Sequence, residues 1–276
     1  MIAVKKIPVI FLKFTLLIFL FAICVIPFYM MFINATHANA DIAYKIQLFP
    51  GRFFLKNYQN MNVFLNIWQY LFNSLIIALP STLLTGYFGT MAAYGFAMFK
   101  FKGRNILFAM VLGTMMIPYQ LSLLGYFQMA ALAGLVDSFI PIILPSIANA
   151  ATVFWMRGHI ESVINPSLLE AAKIDGYHDF GIFNRIVLPL CKTGLFTISI
   201  FNFIGVWNDF MTPLIFLTDQ AKFTVSVGIA TLRAMDLSDQ GVTYVAVALS
   251  IAPILIMYLF LNSKITAGIT SGGVKG

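Results

Sequence analysis

Residues 9–33 read VIFLKFTLLIFLFAICVIPFYMMFI, an apolar run holding a single charge, Lys13. At about 1.5 Å of rise per residue, a helix of that length reaches about 38 Å, more than the roughly 30 Å of hydrocarbon in a bilayer. Five further stretches, 68–98, 106–126, 138–156, 190–217 and 242–261, have the same character, and across all six the interior charges are confined to Lys13, Lys192 and Asp209. The second and fifth are long enough to tilt or to project beyond the bilayer. The 276 residues are 60% hydrophobic and 10% charged, against about 25% charged in a soluble domain, which excludes an ordinary soluble enzyme. The pattern predicts an all-α polytopic membrane protein of six transmembrane helices. Lys5, Lys6, the first run and Ala38-Asn39-Ala40 imitate a secretory signal with its cleavage site. The run is too long for a signal core of about 7 to 15 residues, so it is read as a retained span.

The net charge of +7 needs a cause. With the amino terminus inside, eleven Lys and Arg fall in inner segments, against five outside at Lys45, Arg52, Lys56, Lys222 and Arg233. The positive-inside rule then places both termini in the cytoplasm and accounts for the basic balance without nucleic acid. Cys24 and Cys191 lie in or at the edge of apolar runs and read as packing residues. His159 and His178 stand 19 residues apart with no Cys or His at ligand spacing, so no metal site is expected, and His37 stands alone. The chain has no Gly-x4-Gly-Lys-Ser/Thr, His-Glu-x-x-His or Gly-x-Ser-x-Gly motif, so it is expected neither to hold a nucleotide nor to catalyse hydrolysis.

One inner connection, 157–189, is long enough to fold, and it holds both glutamates, Glu161 and Glu170. Within it Asn165 stands as an N-cap, Pro166 as the first helical residue and Gly176 just past the end, which predicts a short helix with both ends marked. Glu170 sits too far in to complete a capping box with Asn165, while Leu168 and Ala172, four apart, make a small apolar face. Asp179 is expected to cap a second short helix over 180–187, with Phe180, Phe183 and Val187 on one face and Pro189 breaking the chain before the fifth span.

Glu170-Ala171-Ala172, Asp175-Gly176, Phe183, Ile186, Leu188 and Pro189 together resemble the EAA loop of ABC importer permeases. Pro27-Phe28-Tyr29, Asn57-Tyr58, Trp207-Asn208-Asp209-Phe210 with Pro213-Leu214, and the Val274-Lys275-Gly276 ending are similar to the carbohydrate-uptake branch, of which the six-span maltose-type subunit is the type. The resemblance implies a type I importer permease in the cytoplasmic membrane of a prokaryote, taking up a sugar or oligosaccharide. It implies a second homologous permease as heterodimer partner, two ATPase subunits holding ATP and Mg, and an extracytoplasmic solute-binding protein. It also implies that the short helix docks in a cleft of the ATPase. Glu170 and Asp175 are then candidates for contacts with basic partner groups, Ala171 and Ala172 for close approach, and Gly176 for a left-handed turn. Asn165, Pro166, Leu168, Phe183, Ile186, Leu188 and Pro189 scaffold the loop. The other reading of the loop is an interfacial amphipathic helix with no partner. Glycerol phosphate or another small polar solute as cargo, an ion-coupled secondary carrier and a membrane scaffold are the rival functions.

Domain organisation follows as a first span with its outer loop (1–67), a transport core (68–264) and a cytoplasmic tail (265–276), whose end can reach the ATPase interface. On the fifth span Asn202, Gly205, Trp207, Asn208 and Asp209 offer the amide, aromatic and acidic groups of a translocation pathway, or equally of helix packing. Asp209, 19 steps above Leu190 on a straight helix, is expected about 28 Å up, near the outer boundary of the hydrocarbon. Gly86, Gly89 and Gly95, with Ala92 and Ala93, read as close helix packing.

Overall fold

The computed structural model describes the backbone of residues 6–234 and 239–272 and the side chains of 12–232 and 239–259. The Val274-Lys275-Gly276 ending and Lys5 lie outside the described residues, as do the side chains of Lys6, Arg233 and Lys264. Every regular element among the described residues is helical. The order is α1 (Lys6–Asn34), α2 (Asn39–Tyr44), α3 (Phe54–Phe64), α4 (Ile67–Met98), α5 (Arg104–Thr114), α6 (Tyr119–Leu132), α7 (Ile140–Ile143) and α8 (Ala150–Val163). Then come α9 (Pro166–Ile174), α10 (Asp179–Ile182), α11 (Leu188–Leu190), α12 (Lys192–Trp207), α13 (Met211–Phe216), α14 (Val225–Ala234) and α15 (Gln240–Gly272).

Four helical stretches are long and apolar enough to cross a membrane, Leu12–Asn34, Ile67–Met98, Ile140–Val163 and Gln240–Leu259, and the number reaches six if each of two bent pairs is one span. The bends correct the straight third and fifth spans expected from hydropathy. In the third, α5 and α6 meet at 94°. Pro118 stands at the start of α6; it has no N–H to continue α5 and disfavours helical backbone at Ile117. In the fifth, the stretch Asp179–Leu190 meets α12 at 79°, and α12 stops at Trp207, so 190–217 is not one rod. The fourth span runs on to Val163, and Arg157, His159 and Glu161 therefore belong to α8, not to a loop.

The chain divides into two compact units: the described residues up to Ile67 with Ile229–Ala252, and Trp68–Gly228 with the described residues from Pro253 on. In the first unit, buried Asn57 organises the loop after α1. Its Nδ2 donates to the carbonyls of Ala35 at 3.0 Å and His37 at 2.8 Å. The His37 ring nitrogen meets the Phe49 carbonyl at 2.8 Å, and the Gly51 N–H donates to the Thr36 hydroxyl at 2.7 Å.

In the second unit, one core joins Ala93 and Tyr94 of α4, Met156 and Ile160 of α8, Leu169 and Ala172 of α9, and Ile182, Phe183, Val187 and Cys191. Phe183 stacks on Tyr94 with ring centroids 5.9 Å apart and meets Tyr87 edge-on at 5.5 Å. Two of the three α4 glycines lie at close approaches. A Cβ on Gly86 would stand 2.9 Å from Leu195 Cδ1, and one on Gly89 only 2.6 Å from Thr152 Cγ2, whereas Gly95 has nothing within 4 Å. Thr152 is buried and β-branched in a helix, so few rotamers are open to it for moving its methyl aside. Gly89→Ala is therefore expected to destabilise by about 1–3 kcal/mol through overpacking. Gly95→Ala should be neutral or gain up to about 1 kcal/mol of helix propensity. Thermal unfolding in detergent compares the two, and equal melting shifts would contradict the close-packing account.

Candidate functional site: a clamped short helix and a polar cavity

The sequence at 165–176 builds a helix closed at both ends. The Asn165 side chain accepts from the Ser167 N–H at 3.1 Å, and Pro166 opens α9 with a fixed φ and no orphan N–H. At the far end Gly176 takes φ +85°. Its N–H reaches the Lys173 carbonyl at 3.0 Å, and the Tyr177 N–H reaches that of Ala172 at 3.0 Å, which satisfies carbonyls that would otherwise be left open.

One face of α9 is spoken for by its own chain. Leu169 and Ala172 are buried in the core, whereas Leu168 is 42% exposed, so the inward face is 169/172 and not the expected 168/172. The close approach that Ala172 allows is thus to this chain's own core, while Ala171 is exposed. Glu170, Asp175 and Gly176 are also exposed, and Ile174 is 86% exposed. Glu170 and Ile174, four apart, share a face of the helix. Lys173 turns to its own chain, pairing with Asp179 at 2.8 Å and lying over the Phe99 ring.

The segment after α9 departs from expectation in two ways. Asp179 is the first residue of the helix and His178 holds the position before it without a side-chain capping bond, and Phe180 is exposed while Ile182, Phe183 and Val187 are buried. The helix also does not break at Pro189. Phe183–Val187 forms a π turn and Leu188–Leu190 continues as helix through the proline. Widening the turn relieves the clash between a proline ring and the carbonyl four residues back, so the break falls at Cys191 instead. Ile186 and Leu188 are half-buried beside the same core. Asn184 ties this segment to α4 by accepting from the Tyr87 hydroxyl at 3.0 Å.

At the other end of α12 lies a cavity of about 770 Å³. Asn202, Gly205, Asn208 and Asp209 line it, with Ser146 and Asn149 from the connection before α8 and Thr212 from α13. Trp207 is not among its lining residues: it is buried and stacks on Phe203 at 5.5 Å. Asn202 also donates toward the Ser81 carbonyl at 3.5 Å, so it packs as well as lines. Asp209 sits past the end of α12, where its Oδ1 accepts from the Thr212 N–H at 3.2 Å. The expected height of Asp209 assumed a straight helix from Leu190; the 79° bend and the break after Trp207 remove that basis.

Two polar groups that hold the chain here carry no expectation from the sequence, Asn149 in the cavity wall and Asp137 outside it. Asn149 caps α8 by accepting from the Thr152 N–H at 2.8 Å, and its place directly before an apolar helix was a readable signal. Asp137, at φ +60°, draws the loops on both sides together. Its N–H donates to the Phe216 carbonyl at 2.8 Å, and its Oδ1 accepts from the N–H groups of Thr218 and Asp219, each at 3.0 Å. Its Oδ2 pairs with the Lys222 ammonium. No local pattern announces a partner some eighty residues away.

The comparisons with known proteins fit this geometry. The family model described as "Binding-protein-dependent transport system inner membrane component" matches residues 85–269, and the chain belongs to that family. It is a polytopic inner-membrane transport component and not an enzyme. The arabinooligosaccharide transport permease AraQ of Bacillus subtilis (strain 168) is 35% identical over 86% of this chain and 83% of its own length. The melibiose/raffinose/stachyose import permease MelC of the same organism is 32% identical over 91% of each chain. A chain of a bacterial ABC transporter that imports the acidic polysaccharide alginate shares the fold, with TM-score 0.78 and 20% identity, over 94% of this chain and 97% of that one.

The Asp137 clip has a pH signature. The Asp219 N–H, the Lys222 ammonium and the Thr218 N–H hold its carboxyl well below the ordinary carboxylate range. A lowered folded-state pKa means the clip contributes fully above the ordinary value of about 3.9 and fades only as pH falls through the lowered one. The Thr218 and Asp219 amides should therefore stay protected from hydrogen exchange at pH 4, after correction for intrinsic rates, and lose protection in Asp137→Ala, which removes the acceptor. Protection that already collapses between pH 5 and pH 4 would contradict the clip.

Proposed function

We propose that this chain is the permease subunit of an ATP-driven ABC importer for a sugar or oligosaccharide, forming half of the translocation pathway. The observation that carries the reading is α9, a short rigid helix held by its own core on Leu169 and Ala172 and open on Glu170, Ala171 and Ile174. A clamped helix passes on a push that a flexible loop of the same length would absorb. Its open face, with an acidic group beside an apolar one, suits the cleft of an ATPase subunit, and the EAA pattern over 170–176 supports the same role. That the cargo is a saccharide is supported by the relatives named for oligosaccharide uptake and by the amide and hydroxyl groups lining the cavity.

In this reading the chain pairs with a second, homologous permease as a heterodimer. Two ATPase subunits bind ATP and Mg on the cytoplasmic side, and a solute-binding protein delivers cargo from outside. Both termini face the cytoplasm, as the excess of inner Lys and Arg indicates. Closure of the ATPase dimer draws the two α9 helices together and opens the cavity outward, and hydrolysis resets it. ATP chemistry resides wholly in the partner.

The loop makes the sharp test. Glu170→Lys reverses the charge on the open face, and Gly176→Val forces a side chain into a left-handed backbone at a cost of about 1–2 kcal/mol. Both variants should assemble with their partners while ATP hydrolysis no longer tracks cargo. Ile174→Asp should lower the amount of ATPase that co-purifies. Gly176→Asn, which tolerates the left-handed turn, should keep most of the coupling. Normal coupled uptake by Glu170→Lys and Gly176→Val would remove the docking role.

A further inference from the structure

Cargo charge is the property on which the cavity speaks most directly, and the reasoning here rests on the saccharide-importer reading above. The cavity walls offer the hydroxyls of Ser146 and Thr212 and the amides of Asn149, Asn202 and Asn208, groups that donate and accept hydrogen bonds with uncharged hydroxyls. Phe201 and Phe210 add ring faces against which the C–H faces of a sugar ring can lie. Among the lining residues there is no Lys, Arg or His, and the one formal charge is Asp209.

The contrast with Asp137 is informative. The carboxylate of Asp137 is fully engaged by two backbone N–H groups and the Lys222 ammonium. Asp209 accepts one backbone N–H, from Thr212, and forms no ion pair among the described residues. It is half-buried, so water screens its charge only in part. A carboxylate or phosphate on the cargo would then meet a like charge and no countercharge among the lining residues of this chain.

We infer that the half-pathway built by this chain passes electrically neutral saccharides and disfavours anionic ones such as uronates and sugar phosphates, with Asp209 as the specificity-determining charge. The likeness to an importer of an acidic polysaccharide does not speak against this, since at 20% identity it carries the fold alone.

The field in the cavity can be read without depending on what the solute-binding protein accepts. Gly205 lines the cavity, and a Cβ there meets nothing within 4 Å, so Gly205→Cys is sterically free. In a Cys24→Ser background, with Cys191 buried, the purified complex is labelled with a neutral and an anionic methanethiosulfonate of similar size. The anionic reagent should react the more slowly relative to its rate with a free thiol, and adding Asp209→Asn should raise the anionic-to-neutral ratio by about tenfold, the scale of a like charge close by at partial screening. An unchanged ratio would overturn the proposal, because a carboxylate serving only to cap α13 exerts no such selectivity. In proteoliposomes carrying the complete transporter, ATP-dependent uptake of a neutral arabino-oligosaccharide should exceed that of a galacturonate oligomer, and equal uptake of both by the unaltered protein would also overturn it. Failure to take up any saccharide, with the labelling ratio shifting as expected, would instead count against the saccharide-importer reading and leave the charge assignment standing.

Discussion

Hydrocarbon offers no hydrogen-bond partner, so each backbone N–H and C=O within a bilayer must find one inside the protein. A straight helix meets that demand by itself; a helix that bends or stops does not. The breaks in this chain are consequently where its polar side chains are employed. Asn149 accepts the free N–H of Thr152 at the start of α8, and Asp209 accepts that of Thr212 where α12 has ended. Asn73 donates to the carbonyls of Ala221 and Phe223, and Ser74 accepts from the Val225 N–H, which settles the irregular chain between α13 and α14. These four polar residues thus serve the interruptions of the helices, and Asp209 does so with only one of its two oxygens.

The same accounting explains how the 12-residue stretch that leads into α12 stays helical. Asp179–Leu190 keeps its hydrogen bonding through Pro189 by widening into a π turn, and Cys191, fully buried, fixes the elbow into α12. Just beyond the elbow, Gly194 lies so near His159 that a Cβ would stand 2.4 Å from the ring. Backbone approaches side chain there because nothing larger than hydrogen is present.

The apolar stretches and the ends of α9 are legible in the sequence, because each rests on local rules: runs of apolar residues and capping. What was not legible depends on geometry at a distance. Hydropathy reports how apolar 106–126 and 190–217 are, yet it is blind to a 94° or a 79° bend within them. The inward face of α9 was misassigned by one residue because spacing gives the period of a face but not which neighbour it meets; the core of α4 and α8 selects Leu169 over Leu168. At the site, amide and acidic residues near the end of α12 could be named, but the assembly of Asn202, Gly205, Asn208 and Asp209 with Ser146 and Asn149 required a fold that brings residues some sixty positions apart to one cavity.

These features connect two ends of one stretch of chain. From the open face of α9, the path runs through the Schellman turn at Gly176, the salt bridge of Lys173 with Asp179, the π turn and the elbow at Cys191 into α12, whose far end lines the cavity. Each joint is closed by a specific contact, and the apolar core backs it along Leu169, Phe183 and Val187. A displacement of α9 therefore has no slack in which to dissipate before it reaches the elbow. Packed cores respond to such a load by moving as bodies and not by deforming smoothly. Beyond α13 the chain is tied in the same manner, since Asp137 binds the loop before α7 to the loop after α13.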